Sequence, residues 1–176
     1  YAVIMRAAPG QGIYEMHNLI VTSLLASLGG LGTEAERLAV TGRTTAKNFQ
    51  QIYLAGTLTN AACFASSARH EVTFEGRKVI GSAQRRFGAV ALQHGSILLT
   101  EDHLELPELL RLSAEERTAM HRLLRQETAT LSDVFGRPIR PEEAGEQIRS
   151  CFVEHLTQHH QYVQQFCSEI WSTLDH

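Results

Sequence analysis

Two apolar runs joined by small polar residues constrain this chain more than any other feature. The first opens on a charge, Arg77-Lys78-Val79-Ile80-Gly81-Ser82-Ala83-Gln84. The second, residues 89–99, is interrupted by His94-Gly95-Ser96. Upstream, residues 70–75 alternate, with Val72 and Phe74 on one face and Glu71, Thr73 and Glu75 on the other. Alternation of this kind reads as strand. Glu75-Gly76-Arg77 is a tight-turn sequence, so the two strands are expected to form a hairpin. Extended geometry then puts Lys78, Ile80, Ser82 and Gln84 on one face, and Lys78 opposite residues near Glu75. Gly81 permits a bulge or a close backbone approach, and Gly95 marks a second place where something approaches the backbone.

The rest of the chain surrounds these strands. Residues 1–6 are a short apolar run, broken by Pro9-Gly10 and Gly12. Met16, Ile20, Leu24 and Leu28 recur every four residues and predict a packed helix over 13–28, with Gly29-Gly30 as a left-handed stop. Residues 35–40 predict a strand. Residues 42–51 are a polar connection, 49–58 carry no clear pattern, and 60–67, containing Cys63, read as a small-residue loop. From Leu104 the chain becomes helical. Ser113-Ala114-Glu115-Glu116 is a capping box that opens a helix to about Leu131. Gly136-Arg137-Pro138 ends it, and Pro141-Glu142-Glu143 starts another that reaches about Gln158, with a last helix toward Leu174. The shift in composition near Leu110 divides the chain into a β-rich part, 1–110, and a helical tail, 111–176.

Bulk properties remove several classes of function. A formal net charge of -3 offers no electrostatic footprint for nucleic acid. No apolar run reaches membrane-spanning length. Three cysteines without CxxC spacing argue against a disulfide framework and for a reducing cytosol, so a cytoplasmic location is expected. Hydrophobic residues at 43% and charged residues at 20% fit a globular α/β chain with a real core.

Candidate chemistry sits at a few positions. Cys63, in a polar loop, is either an inert small hydrophobe or, near a cation, an activated thiolate. Cys151 and Cys167 read as helix packing. Lys78 is either a solvated strand residue or a partly desolvated amine that lowers a thiol's pKa, relays protons or polarises a carbonyl. For the two to meet, residues 63–69 must double back over about 20 Å, at roughly 3.3 Å per residue. His94 is either a satisfied core histidine or the edge of a site. His155 and His159, with His160 adjacent, have metal-ligand spacing, but nothing completes the set, so no metal is expected. There is no Walker loop, dinucleotide fingerprint or Gly-x-Ser-x-Gly motif.

The motif from Glu75 to Gln84, followed by Leu92-Gln93-His94-Gly95-Ser96-Ile97-Leu98, resembles the core motif of the biotin/lipoate A/B protein ligase family. Cys63-Phe64 is similar to the Cys-Phe of its cysteine-dependent branch, the lipoate-ligase-like octanoyltransferases and related amidotransferases. The tail is similar too: Phe135-Gly136-Arg137-Pro138, then Pro141-Glu142-Glu143-Ala144 opening a helix. The resemblance implies a mixed sheet backed by helices. It implies transfer of octanoyl from acyl carrier protein to a lysine of a lipoyl domain, without a cofactor. Cys63 would carry the acyl group as a thioester, and Lys78 would handle the proton or polarise the carbonyl. Gly81, Ser82, Ala83, Gln84, His94, Gly95 and Ser96 would bind the acyl substrate. The family's Arg- and Gly-rich strand–loop and a helix precede the segment that Tyr1 opens, and nothing here matches them. The chain is therefore expected to be a fragment, or one part of a split enzyme whose other part is a separate chain.

Three other readings share these motifs. An ATP-dependent lipoate–protein ligase would use ATP and Mg, with Lys78 at the phosphoryl–carboxyl junction and Cys63 incidental. An amidotransferase would move octanoyl between two lipoyl domains through the same cysteine. A non-catalytic fragment would only bind a lipoyl-domain partner.

Overall fold

The structure, a computed structural model, describes residues 1–7, 10–40 and 71–158. Cys63, Cys167, His159 and His160 lie outside the described residues, as do the readings made for 42–70 and for the last helix. The described strands are β1 (Ala2–Arg6), β2 (Leu38–Val40), β3 (Val72–Phe74), β4 (Arg77–Phe87) and β5 (Val90–Ile97). The helices are α1 (Ile13–Leu28), α2 (Leu106–Leu109), α3 (Ala114–Glu127), α4 (Leu131–Phe135) and α5 (Pro141–Gln158). The strands follow the order β1-β5-β4-β3-β2. Pairing is antiparallel for β1 with β5, β2 with β3 and β3 with β4, and a single parallel bridge joins Lys78 to Thr128. This is the expected α/β class. Residues group into two compact units that interleave in sequence: Tyr1–Ala35, Ser82–Gly95 and Pro141–His176 in the first, Glu36–Gly81 and Ser96–Arg140 in the second.

In the first unit, α1 forms where the four-residue repeat predicts it. The Glu15 carboxylate accepts the Gly12 N–H at 2.9 Å and satisfies one of the N-terminal donors that a helix leaves unpaired. Met16, Ile20, Leu24 and Leu28 are buried, and α1 packs against α5. Met5 from β1, Ala7 just after it, Ala91 from β5 and Leu156 from α5 close the same core, with Ile148 and Phe152 at its margin. The expected left-handed stop at Gly29-Gly30 is corrected. Gly29 is right-handed, at φ -55, and the chain runs on as a 3-10 turn, Gly29–Leu31. Gly30 matters for space instead: a Cβ there would overlap the Gln147 side chain on α5. β4 and β5 meet in a two-residue turn whose Gly88 has φ 59, the left-handed value that a hairpin turn of type II′ needs at its first central position.

In the second unit, β3 and β4 form the predicted hairpin. Glu75 and Gly76 both have positive φ, 51 and 79, as a type I′ turn requires. The predicted strand 35–40 shortens to β2, because Thr33–Arg37 is a 3-10 turn. Arg37 lies over the Phe74 ring at 4.5 Å and pairs with Glu75 at 2.9 Å. The Ser113 capping box forms as expected, its hydroxyl accepting from the Glu116 N–H at 3.2 Å. The helix it opens ends at Glu127, not near Leu131. Thr128 turns extended, at φ -121, ψ 152, so that Ala129 N–H can reach the Lys78 carbonyl at 2.9 Å. Thr130 then caps α4, accepting from the Asp133 N–H at 3.1 Å, and Gly136 ends α4 with a left-handed φ of 64. Leu104, Met120 and Leu124 form the helical core of this unit.

His103 sits beside this turn. His103 Nε2 and Thr128 Oγ1 share a hydrogen bond of 2.7 Å, His103 Nδ1 lies 3.3 Å from the Thr100 carbonyl, and Thr128 Oγ1 reaches the Leu124 carbonyl at 2.6 Å. Burial disfavours the imidazolium and holds the His103 pKa below its ordinary value, although Thr100, Glu101, Asp102 and Asp133 all pull the other way.

Two outcomes follow for stability. Ile20→Ala removes a fully buried side chain between α1 and its core, and is expected to cost about 2–5 kcal/mol, read as a lower urea midpoint with unchanged slope. Acid should destabilise through His103. As pH falls below the unfolded imidazole value of 6.5, the unfolded chain takes up the proton first, and stability drops until the folded value is passed. His103→Gln should flatten that part of the urea-midpoint profile between about pH 8 and pH 5.

Candidate active site

Lys78 is buried, which rules out the solvated reading. Its Nζ lies 2.6 Å from Glu71 Oε1, and each side chain retains 6% of its surface. Backbone bonds fix the lysine from several directions. Thr73, two residues before Glu75, faces it across the hairpin, as the turn predicts. Its carbonyl accepts from Ala129, and the next carbonyl, of Val79, accepts from Leu98 N–H at 3.0 Å. The strand bulges at Val79, not at Gly81, where a bulge or a close backbone approach was allowed: Thr73 pairs with Lys78 but Val72 pairs with Ile80. One extra residue on β4 interrupts the simple alternation, and Lys78, Val79 and Ile80 are all buried in succession. Glu71 and Thr73 were expected on a polar face. Both are buried, because both faces of β3 are covered.

An ion pair this deep is costly to assemble and costly to break. Desolvating each charge takes several kcal/mol, and removing one partner of such a pair typically destabilises by about 3–5 kcal/mol.

The other predicted residues divide between the units. Gly81 and Ser96 belong with Lys78 in the second; Ser82, Ala83, Gln84, His94 and Gly95 belong to the first. There, Ser82 and Gln84 enter one polar network. Tyr1 Oη and Ser82 Oγ share a hydrogen bond of 2.6 Å. Gln93 Nε2 donates to Tyr1 Oη at 3.2 Å, and Gln93 Oε1 accepts from Gln84 Nε2 at 3.1 Å. Gln93 is fully buried. β5 runs unbroken through Gly95, whose N–H and carbonyl both bond to the Tyr1 backbone, at 3.0 and 2.9 Å. The neighbour expected at Gly95 is thus the Tyr1 backbone. His94, Ser96 and Ala83 are exposed, so His94 is not a core histidine. Cys151 is half-buried on α5, where Gln147 Nε2 donates to its sulfur at 3.2 Å.

Two participants escaped the sequence reading. Glu71 carried a signal, an acid seven residues before a strand lysine across a hairpin turn, but alternation assigned it to solvent. Gln93 stands inside the recognised motif, and only its burial separates it from an ordinary strand glutamine.

Comparisons with known proteins bear on the family and the fold. The family model described as lipoyl protein ligase A/B catalytic domain matches residues 1–153. The octanoyltransferase LipM of Kyrpidia tusciae is 32% identical over 157 residues, covering 88% of this chain and 55% of the relative. The octanoyltransferase LipM of Symbiobacterium thermophilum is 35% identical over 167 residues, covering 89% and 55%. The chain thus spans about half the length of the curated relatives it matches. Among solved structures, a chain from an archaeal lipoylation system of Thermoplasma acidophilum, a bi-partite lipoate protein ligase and its E2 lipoyl domain, shares the fold. Its TM-score is 0.57 at 16% identity, over 88% of this chain and 49% of that one. No helix among the described residues is long and apolar enough to cross a membrane. With the family model spanning residues 1–153 and the hairpin, buried lysine and capped helices in place, the chain belongs to the lipoyl protein ligase A/B catalytic domain family.

Proposed function

We propose that the protein bearing this chain is an octanoyltransferase that moves octanoyl from acyl carrier protein to a lysine of a lipoyl domain. The observation that supports it best is the buried, carboxylate-bound Lys78, in a chain 32% and 35% identical to two relatives named octanoyltransferase. Cys63 is the proposed nucleophile. Its thiol loses a proton, its sulfur bonds to the donor's carbonyl carbon, and the bond to the donor sulfur breaks. The departing thiolate takes up a proton. In the second half, the acceptor amine bonds to the same carbon, the bond to Cys63 sulfur breaks, and the amine's proton returns to the thiolate. A thioester is already activated toward an amine, so this route needs neither ATP nor a metal.

Lys78 supports both halves at the carbonyl. Gly81, Ser82, Ala83, Gln84, His94, Gly95 and Ser96 are the residues proposed to bind the acyl substrate. Ser82 and Gln84 do so with side chains already held by Tyr1 and Gln93, and fixed polar groups cost less to order around a ligand. The lipoyl domain as acceptor is in keeping with the archaeal relative of this fold, whose description includes an E2 lipoyl domain. A cytoplasmic setting fits a free nucleophilic thiol.

Mixing the protein with octanoyl carrier protein should add one octanoyl increment to its intact mass. Hydroxylamine should remove it, and peptide mapping should place it on Cys63. Cys63→Ala should abolish the adduct and the transfer. If ATP-dependent ligation survives Cys63→Ala, the protein is a ligase. If only an octanoylated lipoyl domain serves as donor, it is an amidotransferase. If no adduct forms from either donor and no ATP-dependent ligation occurs, it is a non-catalytic binder. Gln93→Leu should leave Gln84 and Tyr1 Oη short of a partner. It is expected to cost about 1–3 kcal/mol in urea unfolding and to raise KM for the octanoyl donor more than it lowers kcat.

A further inference from the structure

Glu71 has no part in the chemistry written above, yet it is bound to the one amine that has. The pair is walled in. Val72, Phe74, Val79 and Ile80 around it are buried, and the hydroxyl of the facing Thr73 donates to the Ala39 carbonyl at 3.3 Å. Bonds from Ala129 to the Lys78 carbonyl and from Leu98 to the Val79 carbonyl hold the lysine's backbone, while Glu71 sits one residue before β3. Neither partner can relax into bulk water. An adjacent carboxylate offsets part of the cost of keeping a lysine's charge in such surroundings.

We propose that Glu71 is a positioning residue that holds Lys78 as an ammonium, so that Lys78 serves acyl transfer by donating a hydrogen bond to the carbonyl oxygen and not by removing a proton as a free amine. This rests on the acyl-transfer reading and chooses between its two roles for Lys78. As the Cys63 sulfur bonds to carbon, the carbonyl electron pair moves onto oxygen, where the ammonium N–H meets it. When that pair returns, the bond to the donor sulfur breaks. The proton lost by Cys63 passes through solvent to the departing thiolate, and Lys78 ends each half-reaction protonated, as it began.

The test compares the unaltered protein with Glu71→Gln and Glu71→Asp. Competitive acetylation, quantified on the Lys78 peptide, should rise about tenfold in Glu71→Gln and stay near the unaltered level in Glu71→Asp. In the same variants kcat for acylation of Cys63 should fall about 10- to 100-fold with Gln, with KM nearly unchanged, and largely recover with Asp. Unchanged labelling in Glu71→Gln, or unchanged kcat, overturns the proposal, and so does an Asp variant as impaired as Gln. If Glu71→Gln does not fold, nitrogen-detected NMR of the unaltered protein decides. A resolved Lys78 ammonium signal is expected, and a neutral amine or no signal overturns the assignment. Absence of any acyl adduct on Cys63 in the unaltered protein would defeat the acyl-transfer reading separately, since labelling and NMR do not depend on it.

Discussion

A lysine and a glutamate buried against each other give the β3–β4 hairpin its meaning. Desolvating either charge at that depth is costly, and the contact of Lys78 Nζ with Glu71 at 2.6 Å offsets part of that cost. The hairpin supplies the geometry. Its type I′ turn brings the acid and the base to neighbouring strands, and the extra residue at Val79 breaks the alternation beside the lysine. The extended stretch after Glu127 covers it, trading further helix for a bridge to Lys78. Such an arrangement has little use as a stabilising device, because well-packed apolar side chains of similar volume do as well or better. It makes sense as machinery.

Around that pair, the structure separates framework from chemistry. The packing of α1 on α5, and the leucine core of the second unit, are ordinary burial. The network of Tyr1, Ser82, Gln84 and Gln93 is different. A fully buried glutamine that donates at one atom and accepts at the other orders two side chains of the motif that resemblance marks for substrate. Buried polar groups of this kind are retained where both ends are satisfied, and they fix one arrangement of their neighbours.

Much of the framework was legible in the sequence, and for local reasons. The repeat at Met16, Ile20, Leu24 and Leu28, the box at Ser113 and Glu116, the proline and acids opening at Pro141 and the Glu75-Gly76 turn each act within a few residues. The misreadings share a different cause. Thr128 leaves the helix because a strand fifty residues earlier offers a carbonyl; helical periodicity alone carries the reading on to Leu131. Glu71 and Thr73 alternate with apolar neighbours, which signals one wet face, but a sheet covered on both sides obeys no such rule. Gly81 marked one place where a bulge or a close approach was possible, because glycine tolerates either, but the register puts the bulge at Val79, which carries no such local signal. Lys78 was legible as part of a motif; its partner Glu71 was legible only in three dimensions. Cys63 rests on the motif alone.

The central claim is that the Lys78 ammonium polarises the acyl carbonyl carried by Cys63. The carbonyl carbon of an isotope-labelled octanoyl group on that cysteine reports this directly by NMR. A hydrogen bond from the ammonium should move its resonance downfield relative to the same adduct on a Lys78→Met protein. Identical resonances in the two proteins would contradict the account.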